Sequence, residues 1–272
     1  MSEKIMLREM PRYLVDTHMH TIASGHAYNT INEMLEKAYS MGMKVICITD
    51  HGPKMPGSFG EFYFSNLRVI PDCYYPWRGI PIHEINKVPK LIVGMEANIL
   101  NYNGDTDYET VGDNIHSVKH IIASMHSVCI EPGSYQENTD AYINAMKKPY
   151  VSVLGHIDDG KFPCDYEAIV KTAKEYNILI EVNNSSNSDK SFRLNSKENT
   201  LEYLQLCKEN EVMVSLGSDA HYEGDIANFF NIIPLLNKVN FPEELIINSN
   251  PDLFLDFVEK KYEARLQYYN LK

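Results

Sequence analysis

Seven short apolar runs punctuate the chain, at residues 13–15, 44–49, 91–94, 120–124, 150–154, 178–182 and 212–216. They are rich in Val and Ile and do not alternate with polar residues, which is how strands buried on both faces read. Amphipathic helical patterns lie between most of them. Thr30-Ile31-Asn32-Glu33 has the form of a capping box, with Gly42 as the stop. Asp165 caps a pattern running to Asn177, and Ser196 one running to Asn210. Residues 139–147 and 111–118 carry weaker helical patterns. Strand–helix alternation over most of a chain implies a parallel sheet. Seven doubly buried strands predict a closed or nearly closed βα barrel, with an open doubly wound sheet as the alternative.

Residues 52–90 break the rhythm and are long for a βα connection. The segment carries Phe59, Phe62, Tyr63, Phe64, Tyr74, Tyr75 and Trp77 with Arg68 and Arg78. It reads equally as a substrate wall and as a packed insertion with a small helix near residues 61–70. Residues 225–272 read as a helical tail in which Pro234 kinks one helix and Asn250-Pro251 opens another.

The polar residues that follow the runs change the picture. Seven of the ten histidines fall at or just beyond predicted strand ends. They are His18, His20 and His26 after the first run, His51 after the second, His126 after the fourth, His156 after the fifth and His221 after the seventh. Glu96 follows the third run, and Asp219 precedes His221. In a βα barrel these ends meet at one mouth, where sites of that fold are built. His18 and His20, like Asp219 and His221, are two residues apart and project to the same side of a strand. Imidazole and carboxylate donors suit Zn, Mn or Fe, and nine of them exceed the about three protein ligands of a mononuclear catalytic site. His83, His116 and His120 stand outside the pattern and read as ordinary histidines.

Composition bounds the rest. The chain has 272 residues, 44% of them hydrophobic and 23% charged, enough apolar surface for a sizeable core. The net charge of −12 disfavours a nucleic-acid groove. No apolar run approaches the roughly 18 residues of a membrane span, and the first residues lack the apolar core of a secretion signal. Five scattered cysteines, Cys47, Cys73, Cys129, Cys164 and Cys207, read as reduced thiols, so the expected compartment is the cytoplasm.

Taken in order, Asp16-Thr17-His18-Met19-His20, His26, Ile48-Thr49-Asp50-His51-Gly52, Gly94-Met95-Glu96-Ala97-Asn98, Ser124-Met125-His126, Gly155-His156, Glu181-Val182-Asn183-Asn184-Ser185 and Gly217-Ser218-Asp219-Ala220-His221 resemble the polymerase and histidinol phosphatase (PHP) domain family. Within it the chain looks most like the stand-alone bacterial phosphatases of the YcdX type. The resemblance implies a distorted (β/α)7 TIM-like barrel, one domain with its core at about residues 13–260, and three divalent metal ions, commonly zinc. Carried over, one ion takes His18, His20, Glu96 and Asp219. A second shares Glu96 and adds His126 and His156, and a third takes His26, His51 and His221. Ile157-Asp158-Asp159-Gly160 departs from the Pro-Gly turn of such relatives, and the segment at residues 52–90 is longer.

These readings predict a phosphoric monoester hydrolase acting on a small phosphorylated metabolite. A hydroxide held by the metals attacks phosphorus in line while the ions stabilise the equatorial oxygens. The expected catalytic set is Glu96, His126, Asp219 and Arg193, the last as a phosphate clamp, with Arg68 a weaker choice. Asp16 and Asp50 either accept N–H bonds from the ligand imidazoles or cap strand ends. Asn183 and Asn184 contact substrate or a ligand. The alternatives are a phosphodiesterase or exonuclease of the PHP type, a histidinol phosphatase, an amidohydrolase-like enzyme and a non-catalytic metal protein. The amidohydrolase would have a lysine at a strand end, and none is present.

Overall fold

The computed structural model describes residues 12–70, 87–111 and 118–269. Seven strands, β1 (Val15–Met19), β2 (Val45–Ile48), β3 (Lys90–Asn98), β4 (His120–Ser124), β5 (Val153–Leu154), β6 (Leu179–Asn183) and β7 (Val214–Gly217), lie side by side in sequence order. Every neighbouring pair is parallel. The first and last strands meet: the His20 N–H donates to the Ala220 carbonyl and the Asp219 N–H to that of His18, both at 2.9 Å. The sheet is therefore a nearly closed barrel, a distorted (β/α)7 TIM-like form, and not the open alternative.

Side-chain alternation separates the apolar residues inside the barrel from those outside it. Ile46 and Ile48 face outward onto Met34, Leu35 and Ala38 of α1 (Ile31–Ser40). Val45 and Cys47 face inward, with Ile92, Ile122, Val153 and Leu179, onto Phe254, Phe257 and Val258 of α7 (Pro251–Tyr268). This plug fills the end of the barrel where the strands begin, each large buried side chain contributing about 1.5–3 kcal/mol. Polar chemistry is left to the end where the strands finish.

The helix starts follow local chemistry. Thr30 and Glu33 form the predicted capping box of α1. α2 (Glu61–Asn66) continues into a 3-10 turn at Leu67–Val69, matching the small helix read in the long connection. α3 (Tyr135–Met146) begins one turn before the predicted residue 139, because Ser134 and Glu137 form a capping box of their own. Asp165 caps α4 (Tyr166–Tyr176) as predicted. Ser196 is not a cap: it is the first residue of α5 (Ser196–Glu209), and Asn195, at φ 54°, precedes it. Pro234 does not kink a helix. It sits in the first turn of α6 (Ile233–Lys238), where a missing N–H costs nothing. Asn250 caps α7 through the N–H groups of Asp252 and Leu253.

Within residues 52–90, both readings find support. Phe64 and Leu67 are buried in the core, while Met55 lines the cavity described below. Tyr74, Tyr75, Trp77, Arg78, Cys73, His83 and His116 lie outside the described residues, as does most of the weak helical pattern at 111–118. His120 is buried inside the barrel, edge-on to Phe254. Cys47, Cys129, Cys164 and Cys207 are free thiols. Among the described residues, no helix is long and apolar enough to cross a membrane.

Candidate metal centre

All nine predicted donors gather at the finishing end of the strands. His18 lies within β1 and Glu96 within β3, because both strands run further than their apolar runs suggest. His20, His51, His126, His156, Asp219 and His221 sit in the loops just past their strands, and His26 follows a 3-10 turn at Ile22–Ser24.

Glu96 organises them. Its Oε2 faces His51 Nδ1 at 2.7 Å, His18 Nε2 at 3.3 Å and His20 Nε2 at 3.5 Å. Its Oε1 faces His156 Nε2 at 2.9 Å and His126 Nε2 at 3.3 Å. Asp219 Oδ1 stands 3.1 Å from His20 Nε2 and 3.7 Å from His18 Nε2. The rings of His26, His51 and His221 face one another, with centroids 4.8 Å apart for His26–His221 and 5.0 Å for His26–His51.

These separations fit divalent ions. Donors bonded at about 2.0–2.1 Å to a tetrahedral ion lie about 3.3 Å from each other. His51 Nδ1, Glu96 Oε2 and His126 Nε2 are also buried and make no hydrogen bond, although they face one another at close range. Buried polar atoms are rarely left so. Lone pairs converging without hydrogens between them are what a cation would satisfy.

Three of the rings, those of His18, His20 and His126, are oriented from behind. His18 Nδ1 is 2.6 Å from Glu181 Oε1. His20 Nδ1 donates to Ser24 Oγ at 2.9 Å, and Ser24 donates to Asp50 Oδ1 at 2.7 Å. Tyr63, from the long connection, donates to Asp50 Oδ2 at 2.6 Å. His126 Nδ1 donates to Asn98 Oδ1 at 2.9 Å, and Asn98 Nδ2 donates to Asp107 Oδ2 at 2.6 Å. These bonds put the proton on Nδ1 of His18, His20 and His126 and leave Nε2 as the donor. His156, at φ 27°, and Asp219, at φ 56°, hold backbone conformations that cost non-glycine residues of order 1–3 kcal/mol, a pattern that clusters at functional sites.

The electrostatics are those of a dry, crowded site. Burial pushes Glu96 up, but His51, His18 and His126 outweigh it and hold the carboxyl well below its usual range. Asp219 is lowered in the same way, chiefly by His18 and His20 against burial. Burial, with His221 and His51 beside it, drives His20 well down. His18 goes the other way: Glu181, Glu96 and Asp219 overcome burial and raise it.

Beside the donors opens a cavity of about 450 Å³, with Met55, Met125, Val128 and Phe192 as its apolar wall and Arg193 reaching in. Arg193 Nη1 donates to Ser186 Oγ at 3.3 Å, and Ser186 in turn donates to Asp158 Oδ1 at 2.7 Å. Arg68 lies exposed on its 3-10 turn. Asp16 accepts no imidazole N–H. It caps main-chain N–H groups of His18, Ser218 and Ala227, because the chain turns over it at the seam. Asp50 serves an imidazole only through Ser24. Asn183 Nδ2 reaches Asp219 Oδ2 at 3.2 Å, whereas Asn184 turns away and accepts the Asn231 N–H.

Sequence reading missed Glu181, Asn98 and Ser24. A lone charge inside Leu179–Asn183 marked the first, and a position two beyond Glu96 on the same strand face marked the second. Ser24 carried no such signal.

The model of the PHP domain family matches residues 16–186 of this chain. The chain is 44% identical over 246 residues to a Caldicellulosiruptor saccharolyticus protein named "Probable phosphatase", covering 90% of this chain and 95% of that protein. A Clostridium acetobutylicum "Probable phosphatase" is 40% identical over 261 residues, covering 96% and 100%. Among solved structures, histidinol phosphate phosphatase from Lactococcus lactis, complexed with zinc, L-histidinol and phosphate, shares the fold. Its TM-score is 0.57 at 16% identity, over 84% of this chain and 94% of that one.

Proposed function

The chain belongs to the PHP domain family and is a hydrolase of phosphoric esters; from that premise we propose that it removes phosphate from small monoesters at a centre of three divalent ions. The carrying observation is the division of Glu96, whose Oε1 faces His126 and His156 while its Oε2 faces His18, His20 and His51. On this reading His18, His20, Glu96 and Asp219 hold one ion. Glu96, His126 and His156 hold a second, and His26, His51 and His221 hold a third. Nitrogen and oxygen donors without thiolate suit zinc first, then Mn or Fe. When bound, such ions supply an ionised water near neutral pH and neutralise charge on the phosphate oxygens.

The chain's own residues do the rest. Arg193 donates its guanidinium N–H groups to the phosphate, held at the right height by Asp219 and Ser186. Glu181, Ser24 and Asn98 keep the ring protons on Nδ1. The apolar wall of Met55, Met125, Val128 and Phe192 receives the leaving group and excludes bulk water. The whole of residues 1–272 is read as one PHP domain, working in the cytoplasm, where buried thiols such as Cys47 and Cys207 stay reduced.

The test is metal analysis of the purified protein together with hydrolysis of p-nitrophenyl phosphate and of its bis ester. About three ions per chain and a clear preference for the monoester are expected. Preference for the diester, or degradation of single-stranded DNA, would replace the reading by a phosphodiesterase. Histidinol phosphate is the second reading for the substrate. The Lactococcus neighbour's bound L-histidinol motivates it, and Asp159 in the cavity wall supplies a carboxylate for the ligand's amine. Including that ester in the substrate panel decides it.

A further inference from the structure

We infer that Glu181 is a positioning residue that ties His18 and His156 into one frame, so that the two donor groups sharing Glu96 fill as a pair. The inference rests on the metal-centre reading above. Glu181 lies in the middle of β6, faces into the barrel and is wholly buried. A carboxylate placed there is costly unless every lone pair is used. Oε1 accepts from His18 Nδ1 at 2.6 Å. Oε2 accepts from the His156 main-chain N–H at 2.8 Å and from Asn183 Nδ2 at 3.2 Å. The same Asn183 amide reaches Asp219.

One side chain therefore touches both groups from beneath, as Glu96 does from within. At His18 it fixes which ring nitrogen carries the proton. At His156 it holds the N–H of a residue whose backbone sits at φ 27°. The fold makes room for it: a Cβ on Gly217 would stand 2.1 Å from Glu181 Oε1 and 2.8 Å from His18 Cβ. An amide cannot replace the carboxylate, because one of its two ends is a donor. That end would face either the His18 Nδ1–H or the His156 N–H.

The experiment titrates the metal-stripped full chain with zinc against a chelating dye, for wild type, Glu181→Gln and Gly217→Ala. Glu181→Gln is expected to weaken two ions together by about 10–100-fold and leave the third unchanged, the range seen when a group behind a ligand is removed. Gly217→Ala, which displaces the carboxylate without removing it, should weaken the same two. Nitrogen-15 histidine spectra of the metal-free wild type, taken at a pH alkaline enough for a neutral imidazole, should show the His18 proton on Nδ1, assigned by its loss in His18→Gln. In Glu181→Gln that proton should be shared between both nitrogens.

Unchanged zinc binding in Glu181→Gln, weakening of all three ions alike, or a wild-type His18 proton on Nε2 would overturn the inference. A wild-type chain that takes up no zinc would overturn the paired filling and the metal-centre reading with it. The spectra would then still decide whether Glu181 sets the His18 tautomer.

Discussion

Arg193 Nη1 stands 3.7 Å from Asp219 Oδ2, the oxygen of Asp219 turned away from His20. A guanidinium so placed is anchored at one edge and has further N–H groups for an incoming anion. Burial opposes its charge, but Asp219, Asp158, Glu96 and Glu181 raise its pKa, so the cation persists at every working pH. Arg193→Ala should lower kcat on p-nitrophenyl phosphate by about 10²–10³-fold, the cost of removing one charge-stabilising donor. Metal content measured by mass spectrometry should stay at the wild-type level. A loss of metal instead would make Arg193 a structural partner of Asp219.

His126 and Asn98 separate donor from support. His126→Ala should lose metal on gel filtration and abolish turnover. Asn98→Ala keeps the ring but frees its Nδ1–H, so metal affinity should fall by about 10–100-fold while excess zinc restores activity. Activity that survives in His126→Ala would remove this histidine from the reaction.

Chelation should destabilise the fold. Ions that bind only the folded chain add about 2.7 kcal/mol each when present at 100 times their dissociation constant. For a chain of this size each kcal/mol moves the melting point by about 2–4 °C. Excess EDTA should therefore lower the calorimetric Tm by at least about 5 °C, and zinc or manganese should restore it.

His120 gives a pH prediction that no ion complicates when the measurement is made in EDTA. Burial, with His18 beside it, lowers the imidazole from 6.5 to about 3. Between those values the unfolded chain binds a proton that the folded chain refuses. Stability is therefore lost as the pH falls through that window, by about 1.4 kcal/mol per unit. His120→Phe, which keeps a flat ring against Phe254, removes this contribution. From pH 7 to pH 5, urea unfolding should show the wild type losing about 2 kcal/mol more than the variant. Equal losses would mean that His120 titrates normally.

Much of this was legible before any coordinates. Unbroken apolar runs gave the seven parallel strands, and histidines at their ends gave the convergence. The runs misplaced where strands stop. β3 continues to Asn98 and β1 to Met19, because pairing with a neighbour extends a ladder through polar residues that propensity treats as loop. Ser196 and Pro234 differ from expectation because their helices, α5 and α6, start at Ser196 and Ile233, and the letters alone do not fix a helix start to the residue. The lone charge of Glu181 is visible in the sequence but its role is not, because its partner His18 lies 163 residues away. For Asp16 the letters leave imidazole acceptor and cap equally open, and the main-chain N–H groups of Ser218 and Ala227, which claim its oxygens, decide for the cap.

The seam between β1 and β7 has a consequence for how the site assembles. His18 and His20 meet Asp219 and His221 only where the two strands join, at the His20–Ala220 and His18–Asp219 main-chain hydrogen bonds. A chain whose barrel is still open brings those four side chains to no common point, so this part of the centre completes with closure and not before it.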